Sequence, residues 1–353
     1  MRRRLAVVGV LTFVATLSPV LAFAAPGPVR GLTVVPWTSS GSTGVTLSWT
    51  YSDPSATGAV MCAKKGDQPA LTPDACDIKS GKSQGETTGT LKLAQAQTYT
   101  FSVFAYTDNG GQRDFAAPET TQAFHGIRLR FPVTCHTLTY GEPCDFKAGL
   151  TDSDTQSPAS GVSAEFWRNA HRFGTGTTSA TGTAIVSMAS RKAVSVQWRF
   201  QGGDGLLGAY SATQNLNVRF KVTAHLTKHY AAAGEGVKIY GIVRPTTAKA
   251  IYIDEPVTQP CPGRRIFGPF PLRVQKLPDG QTTYGYVGTI SDDTAGKHTF
   301  QAFTERQQRV RDGYSSVVTL YVVGAAATSP AGRASGPVRP SQTSLSPHRL
   351  RLC

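Results

Sequence analysis

Residues Thr90–Gly111 read TLKLAQAQTYTFSVFAYTDNGG, and the spacing inside this stretch decides the fold. From Tyr99 the side chains alternate, with Tyr99, Phe101, Val103 and Ala105 on one face and Thr100, Ser102, Phe104 and Tyr106 on the other. Period two specifies a β-strand. Asn109-Gly110-Gly111 supplies the turn chemistry that ends it. Leu93 lies six residues before Tyr99 with a polar run between them, which suits a corner where the chain changes sheets. At such a corner a tyrosine buries its ring and turns its hydroxyl back onto nearby backbone.

Upstream, Val45-Thr-Leu47-Ser-Trp49 alternates in the same way and brings an indole to the same core. A Leu-Ser-Trp strand followed by Leu-x5-Tyr-x-Phe-x-Val-x-Ala resembles a fibronectin type III domain. The resemblance covers about residues 27–125 and opens on Pro26-Gly-Pro28-Val29 and Gly31-Leu32. Gln95 departs from it, standing where such domains usually carry a proline. The resemblance implies an antiparallel seven-stranded sandwich used as a spacer or binding module, without catalysis.

Residues 126–219 and 220–324 read as further short alternating strands broken by Gly, Pro, Asp and Ser, and they resemble each other. Tyr140-Gly141-Glu142 recurs as Ala233-Gly234-Glu235, and Tyr210-Ser211 with Leu216 and Val218 recurs as Tyr314-Ser315 with Leu320 and Val322. A repeat of this length and pattern looks like the bacterial immunoglobulin-like modules found in tandem on surface proteins. The expected fold class is therefore all-β, with tandem antiparallel sandwiches. Trp167 and Trp198 alternate with polar neighbours and are expected in the core.

The amino terminus, Met1-Arg-Arg-Arg4 followed by an apolar run to Ala25 with Ala22-Phe23-Ala24 near its end, reads as a secretory signal peptide over residues 1–24. Left uncleaved, the run is just long enough to span a bilayer. Residues 325–353 shift to Ala, Ser, Pro, Gly and Arg and read as a disordered basic tail, with no apolar span and no wall-sorting motif.

Six cysteines in an exported chain are read first as disulfides. Cys62 with Cys76, and Cys135 with Cys144, are expected to close short local loops. Cys261 and Cys353 are open between pairing with each other, pairing between chains and remaining free. Neither Cys135-His136 with Cys144 nor His225 with His229 supplies a zinc ligand set, so no metal is expected.

The formal charge is +14, with the basic excess in the signal and in the carboxy-terminal half. On a secreted protein this points to salt-sensitive attraction to an anionic cell-wall polymer. The basic residues are scattered and the chain is exported, which disfavours nucleic acid. No Gly-x-Ser-x-Gly elbow, phosphate loop, His-Glu-x-x-His or cofactor motif occurs. The acidic neighbours Asp152 and Asp154, Asp254 and Glu255, and Asp292 and Asp293 read as turn chemistry.

The expectation is thus a secreted, non-catalytic adhesion, spacer or binding protein at the cell envelope, with another surface protein, a wall polymer or a polysaccharide as partner. A carbohydrate-binding accessory role is the alternative, with Trp37 and the outward Phe104 and Tyr106 as sugar-stacking candidates. The Gly/Pro-rich stretch from Cys261 to Phe270 is expected to be a long exposed loop, making Arg264, Arg265, Phe267 and Phe270 the first choice for a contact surface.

Overall fold

The computed structural model describes residues 25–324 other than 133, 258–262 and 308–309, and the side chains of all of these except 256, 257, 263, 264 and 265. The expected signal peptide and basic tail, Cys261 and Cys353 lie outside the described residues, as do the side chains of Arg264 and Arg265. Among the described residues no helix is long and apolar enough to cross a membrane. The chain forms two compact units, one of residues 25–37, 44–125 and 203–207, the other of 38–43, 126–202 and 208–324.

In the first unit, alternation produces β1 (Val29–Ser39), β2 (Ser42–Tyr51), β3 (Gly58–Lys65), β4 (Ile78–Ser83), β5 (Thr88–Leu93), β6 (Tyr99–Asn109), β7 (Gln112–Phe115) and β8 (Glu119–Thr120). One sheet runs β1-β2-β5 and the other β4-β3-β6-β7, with β8 also on β6. The inward residues are those the alternation selects: Val45, Leu47, Trp49, Tyr99, Phe101, Val103 and Ala105 form one buried cluster. Tyr99 is fully buried and its hydroxyl bonds the backbone of Ala94, the expected corner; burial pushes its pKa up.

The outer face of β6 departs from expectation. Phe104 and Tyr106 are buried with Val60, Cys62 and Ala70, and Cys76 and Phe115 pack against them. The cover is the segment after β3, pinned by the Cys62–Cys76 disulfide. Ser102 Oγ donates to Ala70 O and Thr100 Oγ1 to Gln68 O, both at 2.9 Å.

The second unit holds two pairs of sheets. The first comprises β9 (Ile127–Arg130), β10 (Thr137–Thr139), β11 (Pro143–Asp152), β12 (Ser163–Arg168), β13 (His171–Thr177), β14 (Thr183–Ala189), β15 (Val194–Phe200), β16 (Ala209–Tyr210) and β17 (Gln214–Arg219). Sheet β14-β11-β9 faces sheet β10-β17-β15-β12-β13. Between them Phe146, Phe166 and Trp198 are all fully buried, with the Phe166 ring 5.1 Å from those of Phe146 and Trp198. The Cys135–Cys144 disulfide closes the loop before β11, as expected.

The second pair comprises β18 (Lys221–Val222), β19 (His225–Leu226), β20 (Tyr230–Ala232), β21 (Val237–Arg244), β22 (Ala250–Val257), β23 (Gly263–Pro271), β24 (Arg273–Lys276), β25 (Thr282–Ile290), β26 (Gly296–Thr304), β27 (Val310–Arg311) and β28 (Gly313–Val323). Its sheets run β18-β21-β25-β24 and β20-β28-β26-β22-β23 over a core that includes Ile239, Ile251, Ile253, Tyr286, Phe300 and Leu320. Within this unit β27 pairs in parallel with β17, Val218 opposite Val310, and Lys221 Nζ meets Glu142 Oε1 at 3.0 Å.

The repeat legible in the sequence is one bonded device built twice. Ser211 Oγ accepts from the Trp198 N–H and donates to Ala212 O, each at 3.0 Å, while Gln197 Nε2 donates to Ser211 O at 2.9 Å. In the later copy Ser315 Oγ accepts from the Ala302 N–H at 3.0 Å and donates to Ser316 O at 2.6 Å. Gln301 Nε2 donates to Ser315 O at 2.7 Å. The Gly-Glu motif is likewise one turn used twice: Gly141 and Gly234 have φ of 73° and 76°, and Glu142 and Glu235 donate their N–H to Thr139 O and Ala232 O.

Candidate functional site

The outer face of the β20-β28-β26-β22-β23 sheet is built by the same alternation that builds the core. On β22, Ile251 and Ile253 are fully buried, so Tyr252 between them points outward. On β26, Phe303 stands between buried Ala302 and Thr304. On β28, Tyr314 stands between buried Gly313 and Ser315, and Tyr321 between buried Leu320 and Val322.

Tyr314 and Tyr321 differ in parity and would fall on opposite faces of a regular strand. The pairing of β26 with β28 shifts between Gln301 and Phe303, where Ala302 of β26 opposes two residues of β28, Ser315 and Ser316. That bulge puts both tyrosines outside. The Gln301–Ser315–Ser316 bonds described above sit at this bulge and hold it.

Two aromatic rows result. Tyr252, Phe303 and Tyr314 cross three neighbouring strands, with centroids 5.5 and 5.8 Å apart and planes inclined by 26° and 20°. Tyr230 of β20 stacks on Tyr321 at 5.3 Å and 21°. Tyr230 is 66% exposed, Tyr314 44% and Tyr321 41%, and Val317 and Val323 beside them are 58% exposed each. Exposed Lys297 lies opposite Tyr321 in the ladder. At these separations and inclinations the rings are stacked, each with a face turned to its neighbour.

A second constellation, on the β12-β15 sheet, is closed on itself. Glu165 accepts from the Trp167 indole N–H at 2.9 Å, from Gln201 Nε2 at 3.0 Å and from Arg172 Nη1 at 3.2 Å. Burial alone would raise the Glu165 pKa, but the donors from Gln201, Trp167 and Arg172 outweigh it and hold the carboxyl below its ordinary value. Arg199 lies 3.9 Å over the Trp167 ring, and its Nε donates to Gln197 Oε1 at 2.8 Å. These groups saturate one another, which is the chemistry of a fixed sheet face rather than of a waiting site.

The residues singled out from the sequence take other places. Phe104 and Tyr106 are 1% and 7% exposed, so they offer no platform, because the disulfide-pinned segment covers them. Trp37 is half-buried, its indole against Gly44, where a Cβ would fall 2.5 Å from the ring. The stretch expected as a loop before Phe270 is in part a strand: β23 pairs antiparallel with β22. Phe267 is buried and Phe270 packs on the same core, with its ring over Gly288, so both fill the sandwich instead of forming a contact surface.

Of the acidic neighbours, Asp152 is turn chemistry, its Oδ1 accepting from the N–H groups of Asp154 and Thr155. Asp254 and Glu255 lie on β22 rather than in a turn and are 4% and 3% exposed, whereas Asp292, 8% exposed, is turn chemistry as expected, its Oδ1 accepting from the Thr294 N–H. Sequence reasoning missed the aromatic rows. In the sequence Tyr314 is a repeat marker, and nothing in linear order pairs it with Tyr252.

No family model matches the chain, and no curated protein matches it. Among solved structures, the FN1–FN3 domains of chicken CNTN1 align with 84% of this chain and 99% of their own at 11% identity and a TM-score of 0.22. A D1–D4 ectodomain fragment of ICAM-5 aligns with 80% of this chain and 73% of its own at 12% identity and 0.25. FdeC, an Escherichia coli adhesin, aligns with 86% and 100% at 13% identity and 0.21. Similarities at this level carry no argument; the fold rests on the strand pairings themselves.

Proposed function

We propose that this chain is a secreted, non-catalytic modular binding protein of the bacterial cell envelope, acting in adhesion, and that the outer face of the β20-β28-β26-β22-β23 sheet grips another surface protein. The observation that carries the reading is the exposed aromatic face around Tyr230, Tyr314 and Tyr321. Grouped exposed apolar and tyrosine side chains mark contact surfaces, since tyrosine supplies a large rigid area with a polar end at low entropic cost. The stacking of the rings favours a protein over a polysaccharide. A sugar ring lies flat on an open aromatic face, and here each ring already has one face taken by its neighbour. The basic excess of the chain adds a salt-sensitive attraction to an acidic surface.

The test is retention of the full chain on the envelope fraction of producing cells, wild type against a Tyr230→Ser/Tyr314→Ser/Tyr321→Ser variant, with salt washes and soluble polysaccharides as competitors. Retention of the wild type that the variant loses and that sugars do not compete supports the reading. Equal retention of the two proteins, or release by sugar, refutes it.

A further inference from the structure

A separate cluster sits at the core-facing side of the same sheet. Glu255 lies on β22, His298 on β26, and Asp292 in the turn between β25 and β26. His298 has the parity of Phe300 and Ala302, so it points into the sandwich, and its side chain is 14% exposed against 5% for Glu255 and 9% for Asp292.

The imidazole is oriented from behind. His298 Nε2 stands 2.8 Å from Thr294 O, and a carbonyl oxygen only accepts, so Nε2 carries a ring proton. Nδ1 faces the other side, 2.8 Å from Glu255 Oε1 and 3.5 Å from Asp292 Oδ2; a carboxylate oxygen also only accepts, so without an ion Nδ1 carries a proton as well, which a bound ion displaces. Asp292 is oriented as well, since its Oδ1 accepts from the Thr294 N–H at 2.8 Å. One nitrogen and two carboxylate oxygens converge from three segments of the chain, all within 4.8 Å of one another.

We propose that His298 Nδ1, Glu255 and Asp292 form a binding site for zinc or another late first-row divalent ion. A divalent ion that takes the place of the Nδ1 proton meets one ring nitrogen and two carboxylate oxygens there. Bonds of about 2.0–2.2 Å in tetrahedral arrangement set ligand atoms roughly 3.3 Å apart. The two His298 separations of 2.8 and 3.5 Å reach that with shifts of about half an ångström, and the two carboxylate oxygens lie within 4.8 Å of each other. The backbone carbonyl behind Nε2 is the partner a metal-bound histidine ordinarily has. A nitrogen donor and three protein ligands suit zinc-class ions; calcium takes six to eight oxygens and magnesium a near-octahedral shell. Water completes the coordination. Such an ion ties β22, β26 and the turn between β25 and β26 together. The sequence conceals the site because Glu255 and His298 are brought together only by the pairing of β22 with β26.

The test uses the full chain after treatment with a chelator, titrated with Zn²⁺ by calorimetry and with Co²⁺ followed by visible absorption. Expected are one equivalent of zinc, a higher unfolding temperature with zinc present, and the d–d bands of a low-symmetry cobalt site. Glu255→Gln and Asp292→Asn should weaken binding by at least the roughly 10–100-fold that follows loss of a group hydrogen-bonded behind a ligand, while His225→Ala, at an exposed position of β19, should not. Binding that survives both carboxamide variants overturns the proposal. So does a wild type that takes up no zinc and gives no cobalt bands, a readout that stands even where a variant fails to fold.

Discussion

Removing the Cys62–Cys76 bridge should destabilise the whole first unit and leave the segment it encloses folded over β6. The bridge joins residues 14 apart. A loop of about 15 residues loses roughly 3 kcal/mol of denatured-state entropy on closure, which is on the order of a hundredfold in the folded-to-unfolded ratio. In the native state the segment keeps its own bonds, Ser102 Oγ to Ala70 O and Thr100 Oγ1 to Gln68 O, and its packing on Phe104 and Tyr106. In a Cys62→Ala/Cys76→Ala chain, hydrogen exchange of the slowest β3 and β6 amides should therefore accelerate on the order of a hundredfold, since these amides open only with the whole unit. Denaturant sensitivity should rise as the unfolded chain expands. Acceleration confined to residues 66–77, with β3 and β6 unchanged, would refute the reasoning, because the bridge would then act only as a local pin.

Three further outcomes are expected. Ser211→Ala and Ser315→Ala each strip the acceptor from a buried strand N–H, that of Trp198 and of Ala302, and each should cost about 1–3 kcal/mol by chemical denaturation; a cost below a few tenths would show that the repeated device is not structural. Glu165 has a lowered folded pKa, so its contribution is present above the ordinary carboxylate value and lost as pH falls through the folded value. Acid unfolding of the wild type should show this loss and Glu165→Gln should not, and superimposable profiles would contradict it. Gly288→Ala places a Cβ 2.5 Å from the Phe270 ring and should cost about 1–3 kcal/mol by overpacking, whereas a neutral effect on the melting temperature would mean that Phe270 is not seated in the core.

The fold was legible because each strand carries its own period. Tyr99–Asn109 announces its two faces, the Leu93-to-Tyr99 spacing announces the corner, and short Cys spacings announce the two bridges. The Tyr-Ser and Gly-Glu repeats were legible as spacing, and the structure supplies their reason in the Gln197–Ser211 and Gln301–Ser315 bonds. What was not legible depends on which strand lies beside which. Tyr252, Phe303 and Tyr314 form one row only through the pairing of β22, β26 and β28. Period two made Phe104 and Tyr106 look exposed, because alternation says which face a side chain takes and nothing of what folds over that face. Gly, Pro and arginine made the run to Phe270 look like a loop, yet an edge strand tolerates proline, and β23 is the edge of its sheet.

Chemical nitration of tyrosine, mapped by mass spectrometry on the free chain and on the chain retained by the envelope fraction, tests the aromatic binding face most directly. The account predicts that Tyr230, Tyr314 and Tyr321 are modified in the free protein and protected when it is bound, while fully buried Tyr286 stays unmodified in both. Equal modification of the three in the bound and free states would contradict it.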